Sequence, residues 1–145
     1  MKIIIGCDHG GYDLKLQIIE HLTTKGIEVE DYGTNSENPV DYPDYAEKVA
    51  KAVAAGQAPL GILICGTGIG MSIAANKVDG VRAALCDNCY SAQKAREHND
   101  ANIICLGARV LGKGLALQVI DTFLASSFLG TYHALRVEKI MNLEK

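Results

Sequence analysis

Leu60-Gly61-Ile62-Leu63-Ile64-Cys65-Gly66-Thr67-Gly68-Ile69-Gly70 is the stretch that decides how this chain folds. Its first five residues are an unbroken apolar run of strand length, the pattern of a strand buried on both faces of a parallel sheet. Glycines at 66, 68 and 70 let the backbone turn sharply and come close to a ligand. The residues that follow, Met71 to Lys77, read as a helix. A helix starting there points free N–H groups and the positive end of its dipole into the turn. Cys65 ends the strand, so the arrangement predicts a thiol beside a turn that can hold an anion.

Outward from this unit, apolar and β-branched runs recur at Lys2 to Cys7, Ile27 to Asp31, Val81 to Cys86 and Asn102 to Leu106, with helix-length segments between them. The alternation predicts an α/β fold: one Rossmann-like three-layer sandwich, a five-stranded parallel sheet with helices on both faces and a C-terminal helix. The first helix, Tyr12 to Thr24, carries Leu14, Ile18, Ile19 and Leu22 on one stripe and stops near Gly26. The second begins after Pro43 and carries Ala46, Val49, Ala50 and Val53. A later one, Leu111 to Leu124, shows Leu115, Ile120 and Phe123 at helical spacing, and Gly130 separates it from a last helix ending near Leu143. Short right-handed connections predict the strand order 2-1-3-4-5, with the topological switch point between strands 1 and 3. Asp8 and His9 then face Cys65 through Gly70 across that point.

At 145 residues, 48% hydrophobic and with three prolines, residues 1–145 fit one domain. A net charge of −3 without a Lys/Arg block offers no footprint for nucleic acid. The N-terminal apolar run is interrupted by Asp8 too soon for a signal peptide, and no segment approaches membrane-spanning length, so a soluble, cytoplasmic protein without a membrane partner is expected. Five cysteines, an odd number, then read as reduced thiols, mostly small core residues.

Cys65 has two readings, an inert core thiol or a base or nucleophile favoured as thiolate by the neighbouring helix start. A phosphatase of the low-molecular-weight tyrosine class needs an arginine six positions after the cysteine, where this chain has Met71. The Gly-x-Gly-x-Gly spacing at the third strand is not a nicotinamide fingerprint, and a phospho-acceptor receiver needs aspartate at position 65. Cys86 and Cys89 form a C-x-x-C pair, the spacing of a redox motif or half a zinc site, without the second pair that zinc needs. His98 and Asn99 end the helix between strands 4 and 5, about 15 Å from the ligand edge at helical rise. His98 therefore either interacts with its own helix dipole or enters the pocket of a neighbouring subunit.

Gly6-Cys7-Asp8-His9-Gly10-Gly11, Asp41-Tyr42-Pro43, the run Cys65 to Lys77 and His98-Asn99-Asp100-Ala101-Asn102 closely resemble the type B ribose-5-phosphate isomerases, over nearly the whole chain. The resemblance implies a homodimer or a dimer of dimers with active sites at the subunit interface. It implies that Cys65 is the catalytic base and that His98 opens the furanose ring. Asp8, His9, Asn99, Arg109 and Arg136, with the turn Gly66, Thr67, Gly68, Ile69 and Gly70, match positions that contact the sugar phosphate. Aldose-ketose exchange needs one base and a preorganised set of donors for an enediolate, with no metal or organic cofactor. Cys65 and the glycine-turn amides suit that chemistry, and the Thr67 hydroxyl adds a donor or restrains the thiol.

The chain departs from the family pattern where Gly-Gly-Arg-His is usual and Gly130-Thr131-Tyr132-His133 stands, followed by Arg136. One expected phosphate-binding arginine is thus Tyr132. The related galactose-6-phosphate isomerases typically lack a histidine at the position of His98, which favours ribose 5-phosphate over galactose 6-phosphate and leaves open a family member that also accepts allose 6-phosphate. A non-catalytic flavodoxin-like module that binds a nucleotide or sugar phosphate is the competing class.

Overall fold

The computed structural model describes residues 1–144, in which strands and helices alternate as β1 (Lys2–Cys7), α1 (Tyr12–Thr24), β2 (Glu28–Asp31), α2 (Tyr42–Ala54), β3 (Leu60–Cys65), α3 (Ile69–Ala75), β4 (Ala83–Leu85), α4 (Cys89–Glu97), β5 (Ile103–Gly107), α5 (Lys113–Ala125) and α6 (Tyr132–Met141). Neighbouring strands all run parallel, and successive side chains feed two cores in turn. Ile3, Ile5, Cys7, Ile62, Ile64, Ile104 and Leu106 pack with α1, α4 and α5, whereas Ile4, Leu63, Cys65, Ile103 and Cys105 pack with α2 and α3. Both faces being covered explains why β3 reads as a continuous apolar run.

The sheet order is β2-β1-β3-β5-β4, which corrects the expected 2-1-3-4-5 at its last two strands. From β3 the chain crosses through α3, on the α2 side, to the outer position. It returns through α4 on the opposite side, beside α5, and β5 drops into the gap. Each crossover is right-handed only with its helix on that face, and the switch of face reverses the order. Burial is the reason for the choice: all five residues of β5 are buried, whereas the three of β4 are partly exposed. Arg82 just before β4 was the available signal, since an edge place suits a short strand flanked by charge.

The exposed edge of β4 is closed by a side chain. Asn76, just past α3, accepts from Ala83 N–H through Oδ1 at 2.8 Å and donates through Nδ2 to the Ala83 carbonyl at 2.9 Å. It takes the place of a neighbouring strand and removes a template for edge-to-edge pairing.

Three local readings shift. α3 starts at Ile69 and ends at Ala75, two residues earlier than expected at each end. In α5, Leu115 is exposed and Ala116, Val119, Ile120 and Phe123 form the buried stripe. In α1 the stripe of Leu14, Ile18 and Leu22 is joined by Lys15, only 1% exposed. No helix among the described residues is long and apolar enough to cross a membrane.

Candidate active site

The carboxyl ends of β1, β3 and β5 meet at one edge of the sheet. After β1, Asp8 turns the chain: its Oδ1 accepts from Gly10 N–H at 2.9 Å and Gly11 N–H at 3.2 Å, closing a single 3₁₀ turn that leads into α1. Asp8 is buried, with its backbone N–H on the Ile64 carbonyl, so the turn is anchored to β3. His9, next along, accepts from Val40 N–H through Nδ1 at 3.1 Å. While that bond is made the ring proton sits on Nε2, which leaves Nε2–H as the donor.

After β3 the chain makes its glycine turn around the thiol. Gly68 N–H points at Cys65 Sγ, 3.1 Å away, and Cys65 is nearly buried. Such a donor strengthens as negative charge develops on sulfur. Gly68 has φ +79, and a Cβ there would come within 2.8 Å of the Leu106 carbonyl carbon, so glycine is required on both grounds. The Thr67 hydroxyl accepts from Ile69 N–H at 3.2 Å and so braces the turn.

The corrected strand order brings in the next strand. With β5 beside β3, Ala108 N–H bonds the Cys65 carbonyl and Arg109 N–H bonds the Gly66 carbonyl, both at 2.9 Å. The Arg109 guanidinium thereby lies over the two turns: a Cβ on Gly66 would be 3.1 Å from one of its nitrogens, and one on Gly10 would be 3.6 Å from another. Tyr42, at the start of α2, lays its ring against Gly70, where a Cβ would meet Cε1 at 2.5 Å. Asp8, His9, Cys65 to Gly70 and Arg109 therefore share one cleft edge. Tyr42 and the Val40 amide belong to it and were not singled out from the sequence. The Asp41-Tyr42-Pro43 stretch was the signal that could have found them.

His98, Asn99 and Arg136 lie elsewhere in the chain. His98 caps the end of α4, before β5 begins, while Cys65 pairs with Gly107 at the other end of β5. Four strand steps alone separate them by about 13 Å. His98 stacks instead on His133 of α6, ring centroids 4.1 Å apart, and His133 packs on Tyr132 at 4.3 Å. The Arg136 guanidinium covers the Tyr132 ring at 4.8 Å, which completes a column of four side chains. Burial above all, and then the neighbouring His98 and Arg136, hold His133 below the ordinary histidine range.

Cys7, Cys86 and Cys105 are structural by this measure. Burial pushes the Cys7 and Cys86 thiols up to about 11, and that of Cys105 higher still, which keeps them protonated at neutral pH. All five cysteines are free, and no group of metal-binding side chains occurs among the described residues.

Comparison with known proteins identifies the family. A family model described as Ribose/Galactose Isomerase matches residues 3–140. The chain belongs to the Ribose/Galactose Isomerase family. Within this family, ribose-5-phosphate isomerase B of Escherichia coli strain K12 is 51% identical over 144 residues, covering 99% of this chain and 97% of its own. The structure of Clostridium thermocellum ribose-5-phosphate isomerase B superposes with a TM-score of 0.98 at 57% identity, over 99% of this chain and 97% of that one. That of Mycoplasma genitalium ribose-5-phosphate isomerase B with bound ribulose-5-phosphate gives 0.95 at 44% identity, over 99% and 95%.

Proposed function

We propose that this ribose/galactose isomerase interconverts ribose 5-phosphate and ribulose 5-phosphate by moving one proton between C1 and C2 through an enediolate. The observation that carries the reading is the Cys65 thiol, met by Gly68 N–H at the junction of the Asp8 and Gly66 turns and overlooked by Arg109. The bound sugar phosphate of the Mycoplasma genitalium relative supports the substrate class.

In this reading the Cys65 thiolate takes the proton from C2 of the aldose and returns it to C1, while the hydroxyl proton of O2 passes to O1. Negative charge moves from sulfur onto the substrate oxygen, and amide donors of the glycine turn, fixed before the reaction, stabilise it there. Arg109 supplies charge and His9 an Nε2–H donor for the phosphate end, while Asp8 holds the turn and addresses the sugar hydroxyls. Ring opening needs an acid-base group, and His98 in the same subunit is too far away.

A second copy of the chain resolves that distance. The site end exposes Ile69, Ile73, Leu85 and Val110, and the His98 end exposes Tyr132, Leu135 and Ile140. In a two-fold dimer each apolar surface meets the other twice, and the partner's His98, the partner's Asn99 and the partner's Arg136 complete each cleft in the cytoplasmic enzyme. The test is Cys65→Ala assayed for isomerisation and for solvent deuterium at C1 and C2. Loss of both, with ligand binding retained, is expected. Exchange at the parent rate removes the mechanism, and binding without turnover in the parent protein selects the non-catalytic module.

A further inference from the structure

Lys15 is the most deeply buried charged side chain described, 1% exposed, and it touches none of the groups assigned to the chemistry. Its ammonium donates to the Thr34 carbonyl at 2.7 Å and pairs with Asp31 Oδ2 at 2.9 Å. Asp31 Oδ1 in turn accepts from Gly33 N–H at 2.8 Å. Thr34 N–H holds the Cys7 carbonyl at the end of β1. The segment leaving β2 is thus bonded to β1 through its backbone at Tyr32 and Thr34, and tied to α1 at Asp31 and Thr34 through one ammonium. Six residues past Thr34, the same segment presents Val40 N–H to His9 Nδ1. Lys15 links the two halves of that contact, because His9 starts the turn from which α1 grows and Val40 lies on the segment that Lys15 ties to α1.

Burying an ammonium is costly, and a core position on the Leu14–Ile18–Leu22 stripe would ordinarily be better filled by an apolar side chain. We propose that Lys15 is a positioning residue for His9: by tying the 32–41 segment to α1 it keeps Val40 N–H on Nδ1 and so keeps Nε2–H directed at the substrate. A leucine or methionine at position 15 fills the apolar stripe but leaves the Thr34 carbonyl unpaired and the segment without its tie to α1, held only by its backbone bonds to β1. The functional half of this inference rests on the reading that His9 grips the sugar phosphate. The positional half does not.

The experiment therefore reads the two halves separately in Lys15→Met. The imidazole ¹H–¹⁵N spectrum of the ligand-free protein reports the His9 tautomer, and steady-state kinetics with ribose 5-phosphate report its use. The parent should show His9 protonated on Nε2 alone, and the variant a mixture of tautomers. KM should rise about fivefold, the worth of one hydrogen bond, with kcat within about twofold of the parent. Lys15→Met combined with His9→Ala should cost no more than His9→Ala by itself. A single unchanged tautomer in Lys15→Met overturns the proposal. A mixed tautomer with unchanged KM overturns the assignment of His9 to the substrate and with it the functional half. Should Lys15→Met fail to fold, Asp31→Asn, at a partly exposed position, loosens the same tie and is held to the same outcomes.

Discussion

The imidazole of His98 lies flat on that of His133, with centroids 4.1 Å apart and planes 12° from parallel. Arg136, Glu97 and Lys94 also face His133. Burial and the positive neighbours disfavour its protonated form, so its folded pKa lies below the ordinary value of 6.5. For a base held low, the unfolded chain binds the extra proton first. The resulting stability is present above pH 6.5 and is lost as pH falls through the lower folded value. His133→Phe preserves the stack without a titratable group. Melting temperature measured from pH 8 to pH 5 should fall less steeply in the variant, and parallel curves would count against the assignment.

Two inactive variants should restore each other. In the proposed dimer Cys65→Ala and His98→Ala should each lose turnover alone, whereas a mixed dimer should hold one cleft with both residues intact and one with neither. After unfolding and refolding at equal concentrations, half the dimers are mixed and half of their clefts work, which gives about a quarter of the parent activity. No recovery above the separate variants means that the two residues do not share a cleft across subunits.

Thr131 precedes α6 at φ +51 and ψ −138, a conformation in which a β-branched side chain is strained by roughly 1–3 kcal/mol. Thr131→Gly relieves that strain but frees the unfolded chain by about 0.4–1 kcal/mol and gives up the short hydroxyl bond to the Gly130 carbonyl. The strain is the larger quantity. Thermal unfolding should move up by a few degrees, about 1 kcal/mol, and a drop would show that the backbone sits comfortably.

Tyr132 stands where the family pattern has an arginine, and its ring carries the Arg136 guanidinium at 4.8 Å. Tyr132→Arg removes an exposed cation–π contact worth about 0.5–1 kcal/mol. It adds a charged donor to phosphate worth about 1.5–3 kcal/mol. The second effect is larger, so KM for ribose 5-phosphate should fall several-fold. An unchanged or higher KM means that position 132 does not reach the phosphate.

Much of the site could be read from spacing. Apolar runs ending in Asp8 and Cys65 locate two strand ends, and the switch-point argument puts them together whatever the order of the last strands. Arg109 differs. Its place above the turns depends on β5 lying next to β3, and the spatial order of the last two strands is the reverse of their order in the chain. Lys15 was missed for a similar reason: a lysine on an apolar stripe signals nothing until the Thr34 carbonyl and Asp31 appear opposite it.

What the amino-acid order determined alone is local: period-two and period-3.6 patterns, the glycine turn and its thiol arise from residues near one another in the chain. Tertiary structure decided which strand occupies the sheet edge, which amide meets His9 and which aromatic ring meets His98. Those pairings join residues dozens of positions apart, and they follow from which surfaces must be removed from water together, a property of the folded chain rather than of any window within it.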